Sequence, residues 1–207
     1  MKLYLLLWTL LGFSFSAQAE TCLHSITSGT EKLTWTGYKY TKKAPVSGSF
    51  DKITFKQKEG GAESMAKLLE SISFEIDTES VNSGNPTRDS TLKKTIFGYL
   101  KNPNKISGGF KSATQLDVVA AMTANKDMET KLTVDAKDGK LLVTGSLDLL
   151  NHDLKKSYDA VHLACKGLHT GDDGVSKTWS TVDIKVEADY TVKCSKGLID
   201  SIKSWFS

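Results

Sequence analysis

From Val182 to Val192 the side chains alternate without a break. Val182, Ile184, Val186, Ala188, Tyr190 and Val192 are interleaved with Asp183, Lys185, Glu187, Asp189 and Thr191, and Lys193 follows. Period-two patterning over eleven residues is a strand with one dry and one wet face. Parallel sheets bury both faces, so a strand of this kind belongs to an antiparallel sheet or barrel.

Weaker copies of the pattern run through most of the chain. Leu33 to Thr41 and Val46 to Phe55 form a candidate pair, broken at Ala44-Pro45. Ile72, Phe74 and Ile76 alternate in the next strand, and Ile106 to Thr114 follows Pro103-Asn104. Leu132 and Val134 lead into Lys137-Asp138-Gly139-Lys140, and Leu141 to Leu149 returns from it. Asp-Gly between two such runs is a strong hairpin signal. Tyr158 to Cys165, through Val161 and Leu163, reads as a strand; Thr170 to Gly174 is a turn, and Trp179 to Cys194 is the last strand. The count predicts an all-β chain of about eight strands. Thr91 to Leu100 reads as a short helix with Asp89-Ser90 before it. Leu198, Ile202 and Trp205 define an amphipathic C-terminal helix, docking as a lid or lying on a membrane surface. Val118 to Asp127 has no readable period.

The first nineteen residues have a different character. Lys2 precedes the apolar run Leu3 to Phe15, and Ala17-Gln18-Ala19 supplies the small-x-small pattern of a cleaved signal peptide. The run is too short to span a bilayer, which takes roughly 20 apolar residues. Residues 1–19 are therefore expected to direct export and be removed, leaving one domain over residues 20–207 in the periplasm or outside the cell. Without Lys2, 26 basic residues face 24 acidic ones and are dispersed among them. Such a balance gives no support to nucleic-acid binding. Three cysteines allow one intramolecular bridge. Cys22–Cys194 is the pairing a closed antiparallel barrel favours, because its first and last strands are neighbours; Cys22–Cys165 stays open.

No nucleophile elbow, zincin helix, phosphate loop or C-x-x-C motif is present. His24, His152, His162 and His169 lack metal-ligand spacing. The chain is thus expected to be no enzyme and to need no metal or cofactor. Arg88 is the only arginine among 27 basic residues and stands beside Asp89 at a helix entrance. Its planar donor fork suits either a fold-organising hub or contact with an anionic headgroup.

Four stretches, in this order, resemble one family. Leu33-Thr-Trp35-Thr-Gly37-Tyr-Lys39 is followed by Val46-Ser-Gly48-Ser-Phe50. Next come Ser71 to Val81 with Asn85-Pro-Thr-Arg88-Asp89-Ser-Thr-Leu92, and then Leu142-Val-Thr-Gly145-Ser-Leu147-Asp-Leu149-Leu-Asn151. Together they resemble the YceI-like family from about Lys32 to Cys194. Two departures stand out: Tyr38 to Gly48 lacks the histidine often present there, and Asn151-His152 replaces an Asn-Gly turn. Val118 to Met128 looks like an insertion.

The resemblance implies an antiparallel lipocalin-like β-barrel, exported, that binds a polyisoprenoid or other long-chain lipid. A small barrel can hold one ligand in its lumen. The expected inward residues are Leu33, Trp35, Phe50, Phe74, Ile76, Phe110, Leu147 and Leu149, with Lys39, Arg88 and Asp89 around the mouth. The rival expectation is a filled barrel that meets another envelope protein through its outer face or tail.

Overall fold

A computed structural model describes residues 20–114, 117–123 and 127–195. The sheet, apart from residues 21, 194 and 195, belongs to a unit spanning Cys22–Lys193. The elements run β1 (Thr21–Ile26), β2 (Lys32–Lys39), β3 (Ala44–Phe50), β4 (Ile53–Lys56), α1 (Met65–Glu70), β5 (Ser73–Asp77) and β6 (Val81–Asn82). They continue with α2 (Pro86–Leu92), β7 (Lys105–Ala113), β8 (Asp117–Thr123), β9 (Asp127–Lys137), β10 (Lys140–Asp148), α3 (Lys155–Ala164) and β11 (Thr181–Ser195). The class is all-β and mostly antiparallel, as the alternation predicts.

The strand order is β4-β5-β7-β8-β9-β10-β11-β2-β3-β6, with β1 also on β11. The alternating segment thus lies mid-sheet, paired with β10 through Val186↔Val143 and with β2 through Ile184↔Trp35. Asp138 and Gly139 both take positive φ, +52° and +76°, as the tight β9–β10 hairpin requires. The sheet is not strictly closed, a correction to the closed barrel expected. Where β3 passes into β4, pairing switches from β2 to β5 across Asp51-Lys52. Asp51 N–H donates to Ser80 O there, and Asp77 N–H to Lys52 O. This corner curls the sheet without a continuous ladder, and splitting it at the bend helps raise the count to eleven strands among the described residues.

The largest correction concerns residues 158–165. They form most of α3 and its end, not a strand. Leu154, Tyr158 and Val161 lie at the 4-3 spacing that faces one side of a helix, and Leu154 and Val161 are buried. Leu163, which the alternation put inward, is 74% exposed. The helix expected from Thr91 starts earlier: Asn85 caps α2 by accepting from Arg88 N–H, and Pro86 takes the first turn. A single π-turn over Lys93–Phe97 follows it. α1 had no counterpart in the sequence reading. Ser64 caps it, and Met65, Leu68 and Leu69 turn inward.

Cys22 and Cys194 are each disulfide-bonded, and Cys165 is a free thiol at the end of α3. The signal segment (residues 1–19) and the predicted tail helix over residues 198–206 lie outside the described residues.

Candidate functional site

Directly paired residues of neighbouring strands share a face, so the register defines the interior. Ile53 and Phe55 of β4 pair with Ile76 and Phe74 of β5, which pair with Ile106 and Gly108 of β7. Phe110 pairs with Ala120. Val134 and Ala136 of β9 pair with Val143 and Leu141 of β10, and these with Val186 and Ala188 of β11. Leu33 and Trp35 complete the circuit through Val186 and Ile184. No charged side chain occurs in this series. Fully burying one such aliphatic or aromatic residue is worth roughly 1.5–3 kcal/mol.

Among the described residues, three packed clusters divide the interior. Leu33, Phe74 and Ile76 form one, with Phe50, Ile53, Phe55 and Val186 against it. A second, around Val81, Phe97, Leu100, Met128, Leu149 and Leu154, receives Trp35, Phe50 and Tyr158. The third joins Phe110, Leu132, Val134, Leu141 and Val143 to α1 through Met65, Leu68 and Leu69. α1 thus plugs one part of the interior, and the π-turn with α3 covers another.

Seven of the eight predicted lumen residues fall in or against these clusters. Leu147 does not: it is half-buried opposite Val182 on the same face. Leu149 contributes from a 3-10 turn after β10 rather than from the strand. Aromatic rings occupy much of the space. Phe50 packs on Phe97 at 5.7 Å, and Phe74 touches both Phe55 and Phe110, at 6.3 and 6.2 Å. The Trp35 indole lies across Gly48, where a Cβ would come within 2.3 Å of the ring. Only glycine leaves that room, which explains the V-x-G-x-F spacing.

The three predicted mouth residues are not drawn into one polar centre. Asp89 accepts from Ser83 N–H at 2.9 Å and from its hydroxyl at 2.5 Å, which fixes the turn before α2. Among the described residues no ion pair or side-chain hydrogen bond engages the half-exposed Arg88 guanidinium, so it is no hub there. Lys39 stands at the end of β2 with its Nζ 4.7 Å from the Tyr40 ring.

Sequence reasoning missed the polar knot beside Lys39. Thr178 is buried and bridges to Lys39 across the backbone. Its hydroxyl meets His169 Nδ1 at 2.7 Å and His162 Nδ1 at 3.1 Å, while Tyr158 donates to its carbonyl at 3.0 Å. One hydroxyl proton can serve only one ring, so the other ring must donate to the Thr178 oxygen. Burial, then Lys39 and His162, push the His169 imidazole below its usual pKa. Burial also pushes the Cys165 thiol up, against Lys39, so this cysteine is not an activated nucleophile. Further along, the Tyr38 hydroxyl donates to Asp183, which also takes the Ser146 hydroxyl at 2.5 Å. Burial works to raise the Asp183 pKa, but the two hydroxyls and Lys43 hold it below the ordinary value.

The lowered His169 pKa has a definite sign. The fold takes up a proton there less readily than the unfolded chain does. Stability from this group is complete above about pH 6.5, the unfolded value, and is lost as pH falls through the lower folded pKa. Tm is therefore expected to hold between pH 8 and 7 and to decline below 6.5, with a shallower decline in His169→Gln. An identical slope in the variant would contradict this.

Among the described residues no group of three or more His, Cys, Asp or Glu could hold a metal ion. Two solved structures share the fold. A polyisoprenoid binding domain from Saccharophagus degradans, implicated in plant cell wall breakdown, matches with a TM-score of 0.51 at 15% identity, covering 84% of this chain and 100% of that one. BcnA of Burkholderia cenocepacia matches with a TM-score of 0.52 at 13% identity, covering 82% and 99%. At these identities the likeness concerns the fold alone. No curated protein sequence matches the chain. The YceI-like domain model matches residues 25–193, which takes in every cluster of the interior, and the chain belongs to the YceI-like family.

Proposed function

We propose that this chain is an exported carrier that encloses one long-chain lipid, an isoprenoid or a fatty-acyl chain, inside its curled sheet and performs no chemistry on it. The carrying observation is the interior face, which among the described residues is without a charged interruption from β4 round to β2. A hydrocarbon chain has nothing to hydrogen-bond, so a wall without charges, whose Trp35 indole N–H turns to the Ser49 carbonyl, is the complement it needs. Each buried methylene gains roughly 0.8 kcal/mol against water. The competitor is the bilayer, which offers the same gain, so a carrier has only to match it. Family membership and the Saccharophagus degradans domain's description as polyisoprenoid binding support the choice of ligand class. The leader-like residues 1–19 support export, with cleavage after Ala19 and release into the periplasm or the medium.

One observation favours a second reading. The Trp35, Phe50, Phe97 and Phe74 rings already occupy part of the interior, as they would in a filled barrel acting as an interaction module. A fluorescent isoprenoid or fatty-acyl probe separates the two. Saturable uptake near one probe per chain, competed by unlabelled polyprenol, is expected of the carrier. No uptake at any concentration would favour the filled barrel.

A further inference from the structure

The end of the unit that carries the Thr178 knot also carries an exposed surface of unusual chemistry. The turn joining β2 to β3, the end of α3 and the segment before β11 are tied together there. Tyr40 N–H donates to Lys177 O at 2.9 Å, Lys177 N–H to His169 O at 3.1 Å, and Trp179 Nε1–H to Tyr40 O at 2.8 Å. Ser176 and Thr170 both donate through their hydroxyls to Lys166 O. On this frame Leu163 and Leu168 are 74% and 72% exposed, and Val175 is exposed as well. The same frame carries exposed lysines at positions 42, 43, 166 and 177.

Three of these four lysines lie on aromatic faces. Lys43 Nζ is 4.6 Å from the Tyr38 ring centroid and 5.4 Å from that of Trp179, and Lys177 reaches Trp179 at 5.2 Å. Lys42 reaches Tyr40 at 5.6 Å. The turn is held at a cost, since Tyr40 and Lys43 take φ of +60° and +56° without glycine. Backbone of that kind persists where its surroundings over-determine it, and it clusters at functional surfaces. Three acids moderate the charge, among them Asp183, which takes the Tyr38 hydroxyl and faces Lys43. Asp172 is 3.9 Å from Lys42, and Asp173 takes the Thr41 hydroxyl and Val175 N–H.

We propose that this surface docks the protein on an anionic lipid bilayer. Leu163, Leu168 and Val175 enter the acyl boundary, the Tyr and Trp rings sit at headgroup level, and the four lysines meet the anionic phosphates. Exposed leucines lose free energy in water and regain it only in an apolar medium, which a soluble polyanion does not provide. Amphipathic rings beside lysines are the interfacial pattern of membrane-bound proteins. α3 joins this surface to the interior, because Leu154 and Tyr158 pack against the Trp35 cluster while Leu163 points to solvent. Docking here would bring that end of the lumen to the source of its ligand. Four lysines against three aspartates give a modest attraction, so the contact is weak and salt-sensitive.

The proposal does not depend on enclosure, and its test is separate. Processed protein beginning at Glu20 is sedimented with phosphatidylcholine vesicles containing or lacking 30% phosphatidylglycerol. Binding is expected only to the anionic vesicles, with a fall on raising the salt. A lysine near such a surface is worth roughly fivefold in partition. The combined Lys42→Gln, Lys43→Gln, Lys166→Gln and Lys177→Gln variant should therefore bind at least tenfold less. Leu163→Ser with Leu168→Ser should also bind about tenfold less, while keeping its Tm and its uptake of the probe in vesicle-free solution. Wild-type protein that fails to sediment would overturn the proposal. So would leucine variants that bind like wild type, or both variant sets binding unchanged through another part of the chain.

Discussion

Val143→Asp is expected to leave little folded protein, or to lower Tm by more than about 10 °C, while Thr144→Asp, one residue along, changes stability by no more than about 1 kcal/mol. Val143 is 1% exposed and pairs with Val134 on one side and Val186 on the other. A carboxylate there loses its water and meets only hydrocarbon. It must either stay charged without a partner or take up a proton, and each costs several kcal/mol. A domain with about 5–15 kcal/mol of total stability has little margin for that. Thr144 points to the opposite face and pairs with Lys185, so an aspartate there gains an opposite charge across the strand. The pair of variants reads the register directly by circular dichroism melts. Equal tolerance at both positions would mean that β10 does not divide wet from dry as described.

Leu68→Ala should destabilise by roughly 2–5 kcal/mol, the range for large-to-small changes in a packed core. For a domain of this size that is a loss of roughly 5–15 °C in Tm. Leu68 and Leu69 are fully buried, although α1 has only six residues. A helix so short has no stability of its own in water. It forms because its apolar side closes over Phe110, Leu132 and Val143. Lys67→Ala should have little effect, since Lys67 and its partner Glu63 are both well exposed. A Tm unchanged by Leu68→Ala would show that α1 is not part of the core.

That dependence explains why α1 was not legible in the sequence. Ser64, Met65, Leu68 and Leu69 carry a cap and the i, i+3, i+4 spacing, but over too few residues to stand out against the strands beside them. β11 and the Asp138-Gly139 hairpin were legible because their signals are local: alternation in one, obligatory positive φ in the other. Residues 154–165 carried two periods at once. Val161, Leu163 and Cys165 alternate, while Leu154, Tyr158 and Val161 follow helical spacing, and burial of the second set decided the matter. The lumen residues were mostly recoverable because inward positions recur every second residue. The Thr178 knot was not, since its parts come from β2, α3 and the segment before β11 and share no pattern in the chain. Arg88 shows the reverse case. It was the most conspicuous residue by composition, yet it anchors nothing among the described residues except, through its backbone, the Asn85 cap.

Enclosure of a lipid is tested most directly by native mass spectrometry of the protein purified from a membrane-containing lysate, followed by extraction and identification of what it carries. A co-purifying species of long-chain isoprenoid or fatty-acyl mass is expected at about one per chain, absent from a Val143→Asp preparation that remains soluble. Repeated spectra of bare protein, from lysates rich in such lipids, would contradict it.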